Sequence, residues 1–249
     1  MNSGGNLIGR TFVDFPEDIN IQDVIHKLKD ITEKKYRSHR KNDFTIKKVK
    51  IGEIRDFFGV RGTDAERDFV PIIISLSVSI EEKIPDLNSS LTDIVIKSQK
   101  HEVPVYLYFW LFKDKIILSK VSDSRNYLLV ILDDVLPSKI EIPYYDVNKL
   151  YEDYKGAKNV HAYGFAGRKD SARSGALYFP QGIDDDDVMF KETDTVGKSF
   201  VSLTKVLDSI DFTVYGSGAI VIGKDWYSMM EYVDRLMEVR NFLKKYEVH

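Results

Sequence analysis

Residues 71–80, PIIISLSVSI, carry the clearest strand pattern in the chain, because apolar and small polar side chains alternate along them. The apolar positions are Ile72, Ile74, Leu76, Val78 and Ile80, and the serines between them are Ser75, Ser77 and Ser79. Successive side chains of a strand point to opposite faces of its sheet, so this period of two predicts one core face and one polar face. The core is therefore expected to contain a β-sheet.

Apolar runs on both sides of this stretch extend the predicted sheet. The runs are FTIKKVKI at 44–51, VPVYLYFWLF at 103–112, IILSKV at 116–121, NYLLVILDD at 126–134, NVHAYGF at 159–165, ALYF at 176–179, DFTVY at 211–215 and AIVIG at 219–223. Short polar turns such as KDK and GSG connect several of them, and turns of this length join antiparallel neighbours. The sequence therefore predicts a mostly antiparallel sheet.

Four further segments have the patterns of helices. Asn20 is a suitable N-cap for an N-terminal helix, Asp146 and Gly156 suit the two ends of a second, and Asp225 suits the start of a long C-terminal helix. Residues 89–102 are predicted as a short helix, although their apolar positions also fit a strand. The predicted fold class is α+β, with a mostly antiparallel sheet, a basic N-terminal helix and a long C-terminal helix.

Composition places the chain among globular proteins, since 43% of its 249 residues are hydrophobic and 30% are charged. We expect a single domain over residues 1–249, with two lobes, 1–140 and 141–249, as the alternative, because a Pro-flanked segment separates two sheet-rich halves. The absence of cysteine excludes disulfides and thiolate chemistry. No signal peptide is recognised, and the longest apolar run has ten residues, so a cytoplasmic location without direct membrane insertion is expected.

Charge is distributed unevenly along the chain. Residues 21–50 contain ten Lys or Arg and four acids, a charge of +6, against -3 for the whole chain. Such asymmetry is typical of a nucleic-acid-binding or acidic-partner face, although a solvated helix face is the common alternative. We predict phosphate contacts from Lys34, Lys35, Arg37, Arg40 and Lys41.

A second basic patch is predicted in the loop GFAGRKDSARSG at 164–175. Its candidate phosphate ligands are Arg168, Lys169 and Arg173. Tyr36, Tyr163 and Phe165 are close in sequence to the two patches and could stack on bases. The loop lacks the glycine spacing and the following helix of a dinucleotide-binding or Walker loop, so it is interpreted as a basic connection between strands.

Motifs for catalysis are weak in this sequence. The spacing of Ser202 and Lys205 matches Ser-x-x-Lys, but the companion motifs are absent, and Ser202 is interpreted as a helix cap or loop residue. The acidic segment 184–194 suggests a metal-dependent nuclease as an alternative function. A structural or viral protein without a nucleic-acid role is the third interpretation. No cofactor and no catalytic or metal-binding residue is predicted.

Residues 202–237, SLTKVLDSIDFTVYGSGAIVIGKDWYSMMEYVDRLM, carry a resemblance to a known family. A hydrophobic strand, a hairpin and an aromatic-led helix follow one another, as in the domain of the B component of Kiwa antiphage systems and of proteins that pair with short archaeal Argonautes. The resemblance implies a non-catalytic accessory subunit of antiviral defence, whose protein partner is a short Argonaute or a membrane effector. It transfers no functional residue by position.

Overall fold

The computed structural model describes most of the chain. The described residues are 9–37, 42–52, 69–85, 96–119, 124–136, 140–156, 159–166, 174–179, 193, 196–207, 210–223 and 229–248. The chain divides into two compact units, a terminal unit of Met1–Asp14 with Glu141–His249, and a central unit of Phe15–Ile140. Both ends of the chain therefore contribute to one unit, and the central unit is continuous in sequence.

Helices and strands are mixed along the chain. The strands are β1 (Arg10–Asp14), β2 (Lys35–Tyr36), β3 (Phe44–Ile51), β4 (Val70–Pro85), β5 (Ile96–Leu111), β6 (Lys115–Ser119), β7 (Tyr144–Tyr145), β8 (Val160–Ala166), β9 (Ser174–Tyr178), β10 (Lys198–Leu207), β11 (Ile210–Tyr215), β12 (Ala219–Ile222) and β13 (Glu247–Val248). The helices are α1 (Ile21–Asp30), α2 (Ser124–Val135), α3 (Val147–Lys155) and α4 (Met229–Leu243), with a 3-10 turn at Lys244–Tyr246. The described strand pairs are antiparallel, so the predicted α+β class with a mostly antiparallel sheet is confirmed.

The sheet of the central unit is built around the stretch with the alternating pattern. Its strands are neighbours in the order β2, β3, β4, β5, β6. Ile72, Ile74, Leu76 and Val78 are buried on one face of β4, as the sequence predicts. Helices α1 and α2 contact each other, and they contact β3 and β5 respectively, so the buried face lies under a helical layer.

Strands β4 and β5 form a hairpin that extends beyond the rest of this sheet. Each has 16 residues, and they pair over their whole length, from Val70 opposite Leu111 to Pro85 opposite Ile96. Strand β3 pairs with β4 as far as Val78. Residues 79–85 and 96–102 therefore continue as a two-stranded arm within the described part of the central unit.

The prediction of a strand at 126–134 is wrong, because these residues lie in α2. Tyr127, Leu128, Ile131, Leu132 and Val135 are buried, and their spacing of three and four residues is that of one helix face. The helical period cannot be recognised in the sequence, because a continuous apolar run fits a buried strand as well as a buried helix.

The N-terminal helix is observed, but its predicted basic character is not. Helix α1 carries Lys27 and Lys29 together with Asp23 and Asp30, so its formal charge is zero. The helix ends at Asp30, and Lys35 lies in strand β2 instead of on the helix. The helix predicted at 89–102 is wrong for its second half, since residues 96–102 belong to β5; residues 89–95 lie outside the described part.

The C-terminal helix is observed as α4, which has 15 residues. Its predicted cap, Asp225, lies outside the described residues. Helix α3 begins and ends as predicted, because the Asp146 side chain accepts a hydrogen bond from the Lys149 amide and Gly156 is the C-cap. Of the helices that the structure describes, none combines the length and the apolar composition needed to cross a membrane.

The sheet of the terminal unit has its strands in the order β1, β12, β11, β10, β8, β9. Helix α3 contacts β10 and β8, and α4 contacts β12. The short strands β7 and β13 form a separate pair. A tight turn at residues 216–218 joins β11 to β12, as the GSG motif predicts.

A buried arginine connects the first strand of this unit to its last helix. Arg240 of α4 donates a 2.7 Å hydrogen bond from Nη2 to Oδ2 of Asp14 at the end of β1, and it also pairs with Glu247. Its guanidinium lies 5.3 Å from the centre of the Phe12 ring. Burial raises the pKa of nearby Tyr145 to about 12. These contacts hold β1 in the terminal unit.

Candidate nucleic-acid interface

Lys34, the first residue of the predicted N-terminal patch, has an acidic partner in the structure. Its Nζ donates hydrogen bonds of 2.8 and 2.7 Å to the two carboxylate oxygens of Asp134 on α2. The Tyr36 hydroxyl donates to Oδ2 of the same carboxylate at 2.7 Å. The hydrogen bonds from Lys34 and Tyr36 lower the pKa of Asp134. The charge of Lys34 is thus balanced within the fold and is less available to a phosphate.

The other residues of the predicted patches differ in how far the structure locates them. Lys35 and Arg37 are exposed, and Lys35 pairs with Thr45 of β3. Arg40 and Lys41 lie outside the described residues, and so do Arg168, Lys169 and Arg173 of the second patch. The second patch falls between β8 and β9 of the terminal unit, whereas the first belongs to the central unit.

The aromatic side chains predicted to stack on bases are buried. Tyr36, Tyr163 and Phe165 belong to the core, and the prediction that they form a stacking surface is wrong. The Tyr36 ring stacks on Phe44 with a centroid distance of 5.1 Å, and Tyr163 meets Tyr151 edge-on at 5.0 Å. Burial and the hydrogen bond to Asp134 raise the pKa of Tyr36. These rings stabilise the fold and are not accessible to a base.

The strand register brings a different set of side chains together on the outer face of the central sheet. Lys48 lies opposite Ser75, and Ser75 opposite Tyr106. Further along the strands, Lys50 lies opposite Ile73, and Ile73 opposite Tyr108. The same face of the sheet also carries Lys35, Thr45, Ser77 and Pro104. Directly opposite residues share a face, so these side chains form one surface, which we call the outer face.

The bulge in β3 explains why the sequence does not indicate this surface. The register shifts between Ile46 and Lys48, so Lys47 is the extra residue of the bulge. Without the shift, strict alternation would place Lys48 on the same face as the buried Ile46. With it, Lys48 and Lys50 both reach the outer face, beside Tyr106 of β5.

The outer face is positively charged and carries an exposed aromatic side chain. Lys35, Lys48 and Lys50 are exposed and make no ion pair with any residue that the structure describes. Tyr106 is 59% exposed. Tyr108 is half-buried, and its hydroxyl oxygen accepts a 2.9 Å hydrogen bond from Nε1 of Trp110. The lysines of such a surface can neutralise phosphates, and its exposed aromatic ring can stack on a base.

Acidic residues of the central sheet lie toward the arm. Among its described residues these are Glu82, its neighbour Glu81, which lies opposite Lys100, and Glu102, whose Oε2 accepts a 2.5 Å hydrogen bond from Ser77. Lys48 and Lys50 lie toward the other end of β4, where Ser75 and Ile73 face them. The positive charge is therefore concentrated over β3 and the first half of β4, which is the half farther from the arm.

The candidate sites for catalysis gain no support from the described residues. Ser202 lies on strand β10, not at a helix cap or in a loop as interpreted from the sequence, and it shares a 2.6 Å hydrogen bond with Thr213. Ser202 and Lys205 both lie on strand β10, so they lack the separation of one helical turn that a Ser-x-x-Lys site has on a helix. The segment 184–194 lies outside the described residues except Thr193, which is buried. Within the described ranges, no group of three His, Asp or Glu side chains could hold a metal ion.

A scan against protein-family models finds no match to this chain, and a search of curated proteins finds no significant similarity. Function is therefore inferred from the side chains of the outer face.

Proposed function

We propose that this protein is a non-catalytic accessory subunit that binds the backbone of a nucleic acid and a protein partner. The observation that carries the proposal is the set of exposed lysines on the outer face, Lys35, Lys48 and Lys50, which lack acidic partners among the described residues. Lysines held on neighbouring strands neutralise phosphates without reading bases, which gives salt-dependent binding of many sequences. The predicted patch of Arg168, Lys169 and Arg173 is part of the same proposal, as a second contact with the nucleic-acid backbone.

The arm of β4 and β5 supports the protein-partner half of the proposal. Ile84 is 37% exposed and Ile96 is 62% exposed, on a two-stranded segment to which no further described strand is paired. Exposed apolar side chains on an unpaired strand edge favour association with another protein. The resemblance of residues 202–237 supports a partner of the short Argonaute or membrane-effector kind, in antiviral defence. A cytoplasmic setting, favoured by the absence of cysteine, belongs to the same proposal.

The test of the nucleic-acid half measures affinity against salt concentration. Fluorescence anisotropy of a labelled oligonucleotide between about 50 and 200 mM NaCl should show a linear fall of log K with log salt. We expect the double variant Lys48→Glu, Lys50→Glu to bind at least about tenfold more weakly, because two phosphate contacts become repulsive, and to reduce the slope by about 1.4 to 1.8.

A matched control is available on α1, where Lys27 and Lys29 are also exposed and separated by one residue. The variant Lys27→Glu, Lys29→Glu has the same net charge as the first, and it should keep most of the affinity. Equal losses in the two variants, or an affinity that does not depend on salt, would contradict a specific role for the outer face.

The same samples test the nuclease alternative. The labelled probe is incubated with Mg²⁺ or Mn²⁺, and its length is followed on a denaturing gel. We expect an intact probe. Cleavage that is lost in the variant Asp185→Ala, Asp187→Ala would instead support a metal-dependent nuclease. An absence of binding at every salt concentration would support a structural role.

A further inference from the structure

Tyr106 has an unusual position for a large aromatic side chain. It lies in the interior of a 16-residue strand, yet it is 59% exposed. Its direct cross-strand neighbour is the small Ser75, and its neighbours two positions away on the same strand and face are Pro104 and Tyr108. No hydrogen bond or ring contact holds Tyr106 among the described residues. The ring therefore contributes little to the core and is accessible to a ligand.

The lysines lie at a short distance across the same surface. Lys48 and Tyr106 occupy directly aligned positions on β3 and β5, with Ser75 of β4 between them. Neighbouring strands are about 4.8 Å apart, so the two backbones are separated by roughly 10 Å. The flexible four-carbon stem of a lysine is long enough to span the intervening serine, so the Lys48 ammonium can approach a ligand that lies on the Tyr106 ring.

We infer that the outer face binds single-stranded nucleic acid, with a base stacked on Tyr106 and the adjoining phosphates held by Lys48 and Lys50. This inference rests on the proposed function and names its ligand class. An aromatic ring beside cationic side chains on an open sheet is the arrangement that holds unpaired bases, because every base has a π-face and every nucleotide a phosphate.

A duplex cannot make both kinds of contact with the outer face. Its bases are paired and stacked on each other, so their faces are closed to Tyr106, and it meets the lysines alone. A protein ligand would leave the charges of Lys35, Lys48 and Lys50 without partners unless it were strongly acidic. Binding through both the ring and the lysines thus selects an unpaired strand.

The test compares two probes of equal length, a labelled oligothymidine and a labelled duplex, with the full chain. We expect Tyr106→Ala to weaken binding of oligothymidine by about 5- to 150-fold, the range for loss of one stacked base. Duplex binding and the salt dependence of both probes should stay within about twofold, since no phosphate contact is removed. Tyr106→Phe keeps the ring and should keep the affinity for oligothymidine.

Tyr178→Ala is the matched control, because Tyr178 is 72% exposed on β9 of the terminal unit and is not part of the outer face. It should leave both affinities unchanged, and thermal melts should show that both alanine variants are folded. If Tyr106→Ala changes neither probe while Lys48→Glu, Lys50→Glu weakens both, the inference is wrong and the proposed function stands. Equal weakening of both probes by Tyr106→Ala would also overturn it. If neither probe binds to the wild-type chain, the proposed function itself fails.

Discussion

At the scale of one residue, Lys34 is predicted to bind phosphate, but in the structure it forms an ion pair that stabilises the fold. Its partner Asp134 lies 100 positions away, and Tyr36 donates to the same carboxylate. The sequence reveals that Lys34 is cationic, but it does not reveal a partner at this distance. A lysine that is free to bind a ligand and a lysine held in an ion pair look the same in a sequence. Only the tertiary fold shows which of the two roles a given lysine has.

Asp134→Asn tests this assignment through the pH dependence of stability. The pKa of Asp134 is lowered by its two donors, so the stabilisation is present above the unfolded pKa of about 3.9 and is lost as pH falls through the lower folded value. We expect the variant to lower the free energy of unfolding by about 0.5 to 1 kcal/mol at neutral pH, since the pair is partly exposed.

The measurement is urea unfolding at neutral pH and again at acidic pH below the unfolded pKa, where the difference in stability between the two proteins should shrink as Asp134 is protonated. Asp133→Asn is the control, because Asp133 is the exposed neighbour on the same helix and makes no described ion pair. A loss of stability that persists at low pH would show that the amide disturbs packing rather than charge.

At the scale of single elements, the alternating strand β4 and the capped helix α3 could be predicted because each carries its own period and its own ends. Helix α2 could not, since its apolar run fits both periods. The outer face could not be predicted from the sequence for a related reason. The bulge at Lys47 reverses the alternation in β3, and the alignment of Lys48 with Tyr106 depends on strand register, which is set across the sheet.

The turn between β11 and β12 gives a prediction at this scale. Gly218 has φ +90°, and a Cβ there would lie 2.3 Å from the Pro143 carbonyl oxygen. We expect Gly218→Ala to destabilise the protein by at least about 2 kcal/mol, because it combines a strained backbone with a clash against main chain. Chemical denaturation measures the change.

Gly156→Ala is the matched control for this turn. A Cβ at Gly156 would have no atom within 4 Å, and the residue has a helical φ of -69°. The substitution should be neutral or stabilise the protein by up to about 1 kcal/mol. Similar losses at both glycines would mean that the hairpin turn has no special requirement for a left-handed residue.

For the whole molecule, the division into a continuous central unit and a discontinuous terminal unit leads to a prediction about fragments. Residues 15–140 contain β2 to β6, α1 and α2, with a buried face of their own, so we expect this fragment to fold cooperatively. Circular dichroism and urea unfolding should show strand and helix signals lost in one transition. A fragment without cooperative unfolding would contradict the division.

The fragment 141–249 is the comparison, because it lacks β1. Thr11, Phe12 and Val13 of that strand are buried, and β1 pairs with β12. We expect this fragment to melt at a lower temperature than the same fragment supplied with a peptide of residues 1–14. No effect of the peptide would show that β1 is dispensable for the terminal unit.

The pairing of β1 with β12 also sets an order of events during protein synthesis. Arg10 lies opposite Ile220, and Asp14 bonds to Arg240, 226 positions later. The ribosome adds about 5 to 20 residues each second, so the first strand leaves the exit tunnel roughly 10 to 40 s before its partners are translated. During that interval the continuous central segment can fold, while the apolar side chains of the nascent β1, Phe12 and Val13, remain available to chaperones.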